Sequence, residues 1–112
     1  MNTTLPVSGL ARPLVPGTSL VLRTDIDGAI TFVNDAFVDV SGFSREETIG
    51  QSHEITRHPD VPASVFKGMW RTLKRGLPWR GVLKHRCRNG DHYWVLAEVV
   101  AMRKNGQTVG YM

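Results

Sequence analysis

A single cysteine, Cys87, stands in a chain of 112 residues. An internal disulfide is therefore excluded, and the composition fits a reducing compartment. Long apolar runs are also missing. No stretch of about 18 apolar residues occurs, so no segment reads as a membrane-spanning helix. Residues 1–18 carry three prolines (Pro6, Pro13, Pro16) and no apolar core of the kind a secretory signal needs. Acidic residues are absent between Lys67 and Arg88, where eight basic residues fall, and most acids lie before Val61. No Ser/His/Asp or metal-ligand spacing stands out either, so no enzyme chemistry is legible.

What remains describes one small domain. The length allows a single core, and 41% hydrophobic residues suffice to bury a modest one around a sheet. The net charge of +4 is concentrated in the basic stretch. That stretch reads as a solvated face, or as a surface for a phosphate-bearing ligand, an anionic membrane or nucleic acid. Nucleic acid is disfavoured, because the nearby aromatics sit at core spacing and are not interleaved with the cations.

Residues 1–18 read as a flexible lead or docking arm, and 19–112 as the folded domain. Strands are expected over 21–23 and 29–33, joined by the turn Asp25-Ile26-Asp27-Gly28. Asn34 or Asp35 caps a short helix to Val40 that Gly42 ends. Ser44-Arg45-Glu46-Glu47 is a capping box opening a second short helix. The segment 53–60 reads as a polar loose turn. Pro62 suits the first turn of a helix to about Arg75, with Val65, Phe66, Met69, Trp70 and Leu73 at helical spacing. Strands follow over 79–87, 92–103 and 107–112, with Asn89-Gly90 and Asn105-Gly106 as type I′ turns. The expected fold class is α+β: a five-stranded antiparallel sheet with a helical insert packed on one face. A last strand that stops at Met112 suggests a piece of a longer protein.

Two motifs carry more than fold. Arg57-His58-Pro59-Asp60 packs a cation, an imidazole and a carboxylate into a proline-stiffened loop. Asn89-Gly90-Asp91-His92-Tyr93-Trp94-Val95 is a turn feeding an aromatic strand. The element order, with Asn34-Asp35-Ala36-Phe37 and Ser41-Gly42-Phe43-Ser44, resembles a PAS domain. With the two motifs, Met69-Trp70 and the stretch Leu73 to Trp79, residues 18–112 resemble the sensory domain of the bacterial aerotaxis receptor family. That resemblance implies a cytoplasmic PAS domain with non-covalent FAD. The flavin's redox state would pass to a downstream linker and chemotaxis signalling domain of a membrane-anchored receptor. The domain itself would not be embedded, and a homodimer is a further partner it allows.

An FAD site needs cations or amides for phosphate, a stacking surface, polar partners for the ring edge and an apolar slot. Arg57 and His58 can serve the phosphates, ribose or adenine, with Asp60 orienting them or accepting from ribose; alternatively Arg57 and Asp60 only pair to fix a loop. Trp79 can lie against an aromatic ring or be core, and Trp70 and Trp94 read as core. Asn34 can read the flavin edge or merely cap its helix. His85 and Tyr93 are candidates for the inward face of adjacent strands. His85 stands where the resemblance leads one to expect a side-chain amide, and Phe43 lacks the hydroxyl of a tyrosine in its motif. Cys87 lies outside any helical Asn-Cys-Arg motif, so no photochemical adduct is expected.

Rival readings are a haem-binding PAS gas sensor and a ligand-free interaction module. The helix over 62–75 lacks histidine, which leaves His53 and His58 as axial ligands.

Overall fold

The computed structural model describes residues 9–11 and 18–112. Most of the expected 1–18 lead therefore lies outside the described residues. Its one described stretch is placed: the Leu10 carbonyl accepts from the His92 amide at 2.9 Å, and Ala11 bridges His92 in parallel.

Strands β1 (Leu22–Asp25) and β2 (Ile30–Val33) form the first hairpin. Asp25 builds its turn by accepting the amides of Asp27 and Ala29 on Oδ1, while Gly28 takes φ +88°. Helix α1 (Asp35–Ser41) is capped by Asn34 and closed by Gly42 in the left-handed region. Helix α2 (Arg45–Thr48) opens with both halves of the Ser44–Glu47 capping box in place. A one-turn 3₁₀ helix (His53–Thr56) follows, then α3 (Ala63–Lys74), for which Pro62 is the cap residue and not the first helical one. Strands β3 (Trp79–Arg86), β4 (His92–Val99), β5 (Ala101–Lys104) and β6 (Gln107–Tyr111) complete the chain.

The sheet differs from expectation in one respect. The single strand expected over 92–103 is divided at Val100, giving two antiparallel ladders: β2-β1-β6-β5 and β3-β4. Val100 exchanges two backbone hydrogen bonds with Met112 at 2.9 and 3.0 Å, so the β5–β6 ladder runs up to the division.

The turn at Asn89-Gly90 is also different. Among the described residues Asn105 is the sole non-glycine with positive φ, so Asn89 does not adopt the type I′ conformation. Instead the Gly90 amide donates to the Cys87 carbonyl at 3.0 Å and Gly90 takes φ +94°. This is a three-residue connection ending in a left-handed glycine. The Asn89 side chain holds it, accepting from the Asp91 amide at 2.9 Å and donating to the Asp91 carboxylate at 3.1 Å. Asn105-Gly106, with φ of +53° and +80°, matches the expected turn.

Ile30, Val33 and Phe37 form the buried core, with Leu22, Val38 and Ile55 packed against it. This cluster fixes β1, β2 and α1 together. It leaves the apolar side of α3 facing β3 and β4 across a space.

Candidate cofactor site

That space is a cavity of about 670 Å³. Helix α3 contributes Phe66, Met69 and Trp70, β3 contributes Leu83 and His85, and β4 contributes Tyr93, Val95 and Ala97. Strand alternation explains the β-side: residues two apart share a face, so 83 and 85 line the wall together, as do 93, 95 and 97. Leu22 and Thr24 of β1 and Tyr111 of β6 form another part of the wall.

Polar side chains are set into this largely apolar lining, Thr24, Glu54, Thr56 and Glu98 among them. His85 and Tyr93 are register partners in the β3–β4 ladder. Their rings meet edge to face, centroids 5.5 Å apart. Burial pushes the His85 imidazole down to about 4, so it is neutral at neutral pH. Burial likewise pushes the Tyr93 phenol up. The Tyr93 hydroxyl is buried with no hydrogen-bond partner. Such a group carries an unrecovered desolvation cost of about 1–3 kcal/mol, which a ligand atom would relieve.

Arg57 lies on the same wall. Its backbone bridges that of His85, and its guanidinium sits 4.5 Å from the centroid of the Phe66 ring. His53 lines the cavity as well, edge-on to Trp70 at 5.9 Å. Burial lowers its affinity for a proton, the Glu54 carboxylate opposes this, and Arg57 reinforces it. His53 is held from behind by Gly28: a Cβ there would stand 2.9 Å from Cδ2 of the imidazole.

The other four candidates from the sequence are not among the lining residues. His58 is fully buried beside His92, centroids 5.7 Å apart. Its Nδ1 accepts from the Asp60 amide at 3.0 Å, which places the proton of the neutral ring on Nε2. Burial, seconded by Lys84, lowers its proton affinity. Asp60 is exposed and accepts from Lys84 Nζ at 2.7 Å, so its ion-pair partner is Lys84 and not Arg57. That bond holds its carboxyl below the usual range. Asn34 spends its amide on structure, accepting from the Val21 and Phe37 amides at 3.1 Å and donating to the Ser19 carbonyl at 2.9 Å. Trp79 lies over Gly81, where a Cβ would meet its ring at 2.6 Å.

Two further expectations are corrected. Trp94 is not core: it is 56% exposed beneath Lys84, because alternation in β4 gives the inward positions to Tyr93 and Val95. Trp70 is half-buried and lines the cavity. Cys87 is buried, is not among the lining residues, and donates its thiol to the Val40 carbonyl at 3.2 Å. The residues that sequence reasoning missed as lining, chiefly Leu83, Val95, Ala97 and Tyr111, carried a usable signal in the period-two pattern of their strands.

The family model for the PAS fold matches residues 30–112. The chain belongs to this family. Over 100 residues, 89% of its length, this PAS domain is 50% identical to the aerotaxis receptor of Escherichia coli (strain K12), of which it covers 20%. It is 28% identical over 106 residues to a nitrogen fixation regulatory protein of Klebsiella pneumoniae, covering 93% of this chain and 21% of that protein. The chain thus spans about a fifth of the length of these curated relatives. Among solved structures, a light-oxygen-voltage domain studied with a flavin analogue superposes with a TM-score of 0.73 at 20% identity, covering 80% of this chain and 70% of that one. A PAS domain from Colwellia psychrerythraea gives 0.72 at 23%, covering 82% and 78%. At these identities the structural likenesses establish the fold.

Proposed function

We propose that this PAS domain holds FAD non-covalently in the cavity and serves as the cytoplasmic redox sensor of a longer receptor. The observation that carries this reading is the neutral polar pair His85–Tyr93 beside Leu83 and Val95 on the β3–β4 wall, with the Tyr93 hydroxyl left without a partner. A planar heteroaromatic ring with acceptor atoms on one edge satisfies both features at once. The cavity volume falls within the usual range for small-molecule and cofactor sites, about 300–1,000 Å³. The relative named an aerotaxis receptor, 50% identical over most of the chain, supports the sensory assignment.

FAD supplies reversible electron uptake. The chain's residues have separable tasks. Leu83, Met69, Phe66 and Trp70 form the slot and exclude water. Tyr93 donates its free hydroxyl to the ring edge, and His85 presents a neutral nitrogen beside it. Arg57 supplies a cation for an anionic group of the ligand. His58 and Asp60 support Arg57 from behind by stiffening its loop, and Asn34 anchors β1 to α1. A change in hydrogen-bond demand at the ligand is met by His85 reorienting against Tyr93, which alters the β3–β4 ribbon presented to the next domain. Signalling requires that the two redox states favour two protein conformations unequally, for only differential affinity shifts a population.

The test is the absorption spectrum of the freshly purified chain, with the released chromophore identified by mass. Flavin bands with FAD released support the reading. A Soret band would overturn it in favour of haem, with His53 on the cavity wall as the ligand to replace. A colourless protein that takes up neither cofactor leaves only an interaction module.

A further inference from the structure

Six exposed cations lie on α3 and on the hairpin beside its end, away from the cavity. Lys67, Arg71 and Lys74 fall at i, i+4 and i+7 of α3, a single stripe opposite the face that carries Met69 and Leu73. Arg75 follows at the helix end. The β5–β6 hairpin adds Arg103, a terminal guanidinium nitrogen of which lies 3.2 Å from where a Cβ on Gly76 would stand, and Lys104 follows it on the hairpin's other face. Helix end and hairpin are therefore side by side. All six residues are exposed, and none lines the cavity.

Their charge is uncompensated. The ion pairs of the described residues engage Arg45, Arg80, Lys84 and Arg88, and none of these six. The chain before Asp25 contains no Asp or Glu, so the undescribed residues hold no acid to pair with them. Cations in the last turn of a helix complement its dipole, which accounts for Lys74 and Arg75. It does not account for Lys67 about two turns away, nor for Arg103 and Lys104 on a strand.

One apolar side chain stands among them. Leu77, at the junction of α3 and β3, is 49% exposed beside Gly76 and Pro78. A cationic stripe of about 12 Å from Lys67 to Arg75, with an apolar residue at its end, has the chemistry of a contact with the lipid–water interface. Nucleic acid fits less well. Single-stranded ligands use exposed aromatics as stacking platforms, whereas Phe66 and Trp70 of α3 are turned to the cavity.

We propose that the α3 stripe and the β5–β6 hairpin form a docking surface for an anionic bilayer, with Leu77 at the headgroup boundary. The surface orients the domain with its cavity wall of β3 and β4 free. Each basic residue reaching such a surface raises partitioning about fivefold, and the gain disappears as salt shortens the Debye length.

The experiment is co-sedimentation of the purified chain with phosphatidylcholine vesicles, with and without phosphatidylserine, at low and high salt. Binding is expected only with phosphatidylserine and only at low salt. Lys67→Glu/Arg71→Glu/Lys74→Glu should reduce it at least tenfold, whereas the charge-matched Arg45→Glu/Arg80→Glu/Arg88→Glu, at three cations already paired with Asp35, Glu98 and Glu47, should change it by less than threefold. Arg103→Glu is the second variant and should give a loss of its own. Leu77→Ser should weaken binding while leaving its salt dependence unchanged. No binding to phosphatidylserine vesicles at low salt overturns the proposal, as does an equal loss for the two charge-matched triple variants, which would make net charge alone responsible. Binding to an acidic polypeptide or single-stranded RNA without binding to vesicles assigns the surface to another partner and also overturns it.

Discussion

His85 and Tyr93 face each other across the β3–β4 ladder with ring planes at 88°, one imidazole kept neutral by burial and one phenol without a partner. The pair makes separate demands on the empty fold and on its complex. Tyr93→Phe removes the orphan hydroxyl, so the ligand-free domain should gain about 1 kcal/mol. The same change should weaken flavin binding by about tenfold. Chemical denaturation of the apo form, set beside a flavin titration, reads the two effects with opposite signs. Equal losses in both would remove Tyr93 from the ring edge.

Acid should destabilise the fold through His85. Its folded pKa of about 4 lies below the ordinary 6.5, so the unfolded chain binds the proton first. The stability is complete above pH 6.5 and is lost as pH falls toward 4, by about 3 kcal/mol for this group. His53 and His58, also lowered mainly by burial, act in the same direction. Thermal melting between pH 7.5 and 4.5 should show a shallower fall for His85→Asn than for the native chain.

Asn34 distinguishes a cap from a ligand contact. Asn34→Ala removes three hydrogen bonds of 2.9–3.1 Å and should cost about 1–2 kcal/mol. Asn34→Asp keeps the acceptor and should recover more than half of this. Flavin affinity should follow stability across both variants. A loss of affinity in Asn34→Asp with full stability would show that the amide reaches the ligand.

Gly28 sets the position of His53. Gly28→Ala meets two penalties: a φ of +88°, and a Cβ at 2.9 Å from the imidazole. The left-handed conformation alone costs about 1–2 kcal/mol. The melting temperature should drop, and flavin occupancy after purification should drop with it. His53→Ala in the Gly28→Ala background should recover part of the stability, because it removes the clash but not the backbone strain.

Local chemistry is legible in the sequence. The cap at Asn34 and the box at Ser44–Glu47 are set by side chains bonding their own backbone neighbours, and the turn at Asn105-Gly106 by two residue types that tolerate positive φ. The motif Arg57-His58-Pro59-Asp60 was harder, because its members were grouped by sequence and not by direction. Arg57 is extended, with φ −75° and ψ 122°, so successive side chains leave on opposite sides. Arg57 goes to the cavity and His58 to the His92 ring. The bridge between Arg57 and His85 joins positions 28 apart and depends on how the helical insert folds back. Asn89-Gly90 misled because the Asn89 side chain stabilises a three-residue connection as well as a two-residue one could. The division of the long strand at Val100 has no breaker in the sequence, since Val99-Val100-Ala101 is good strand material.

That division gives the domain a spine. The α3-facing wall of β3 and β4 belongs to one hydrogen-bonded ribbon, while β1 and β6 on the cavity's other side belong to another. The two bonds between Val100 and Met112 close the second ladder where the chain crosses from one ribbon to the other, and the Arg57–His85 bridge ties the first ribbon to the helical insert. Cavity width is thus coupled to the position of Met112, whose amide and carbonyl both bond Val100 at that crossing.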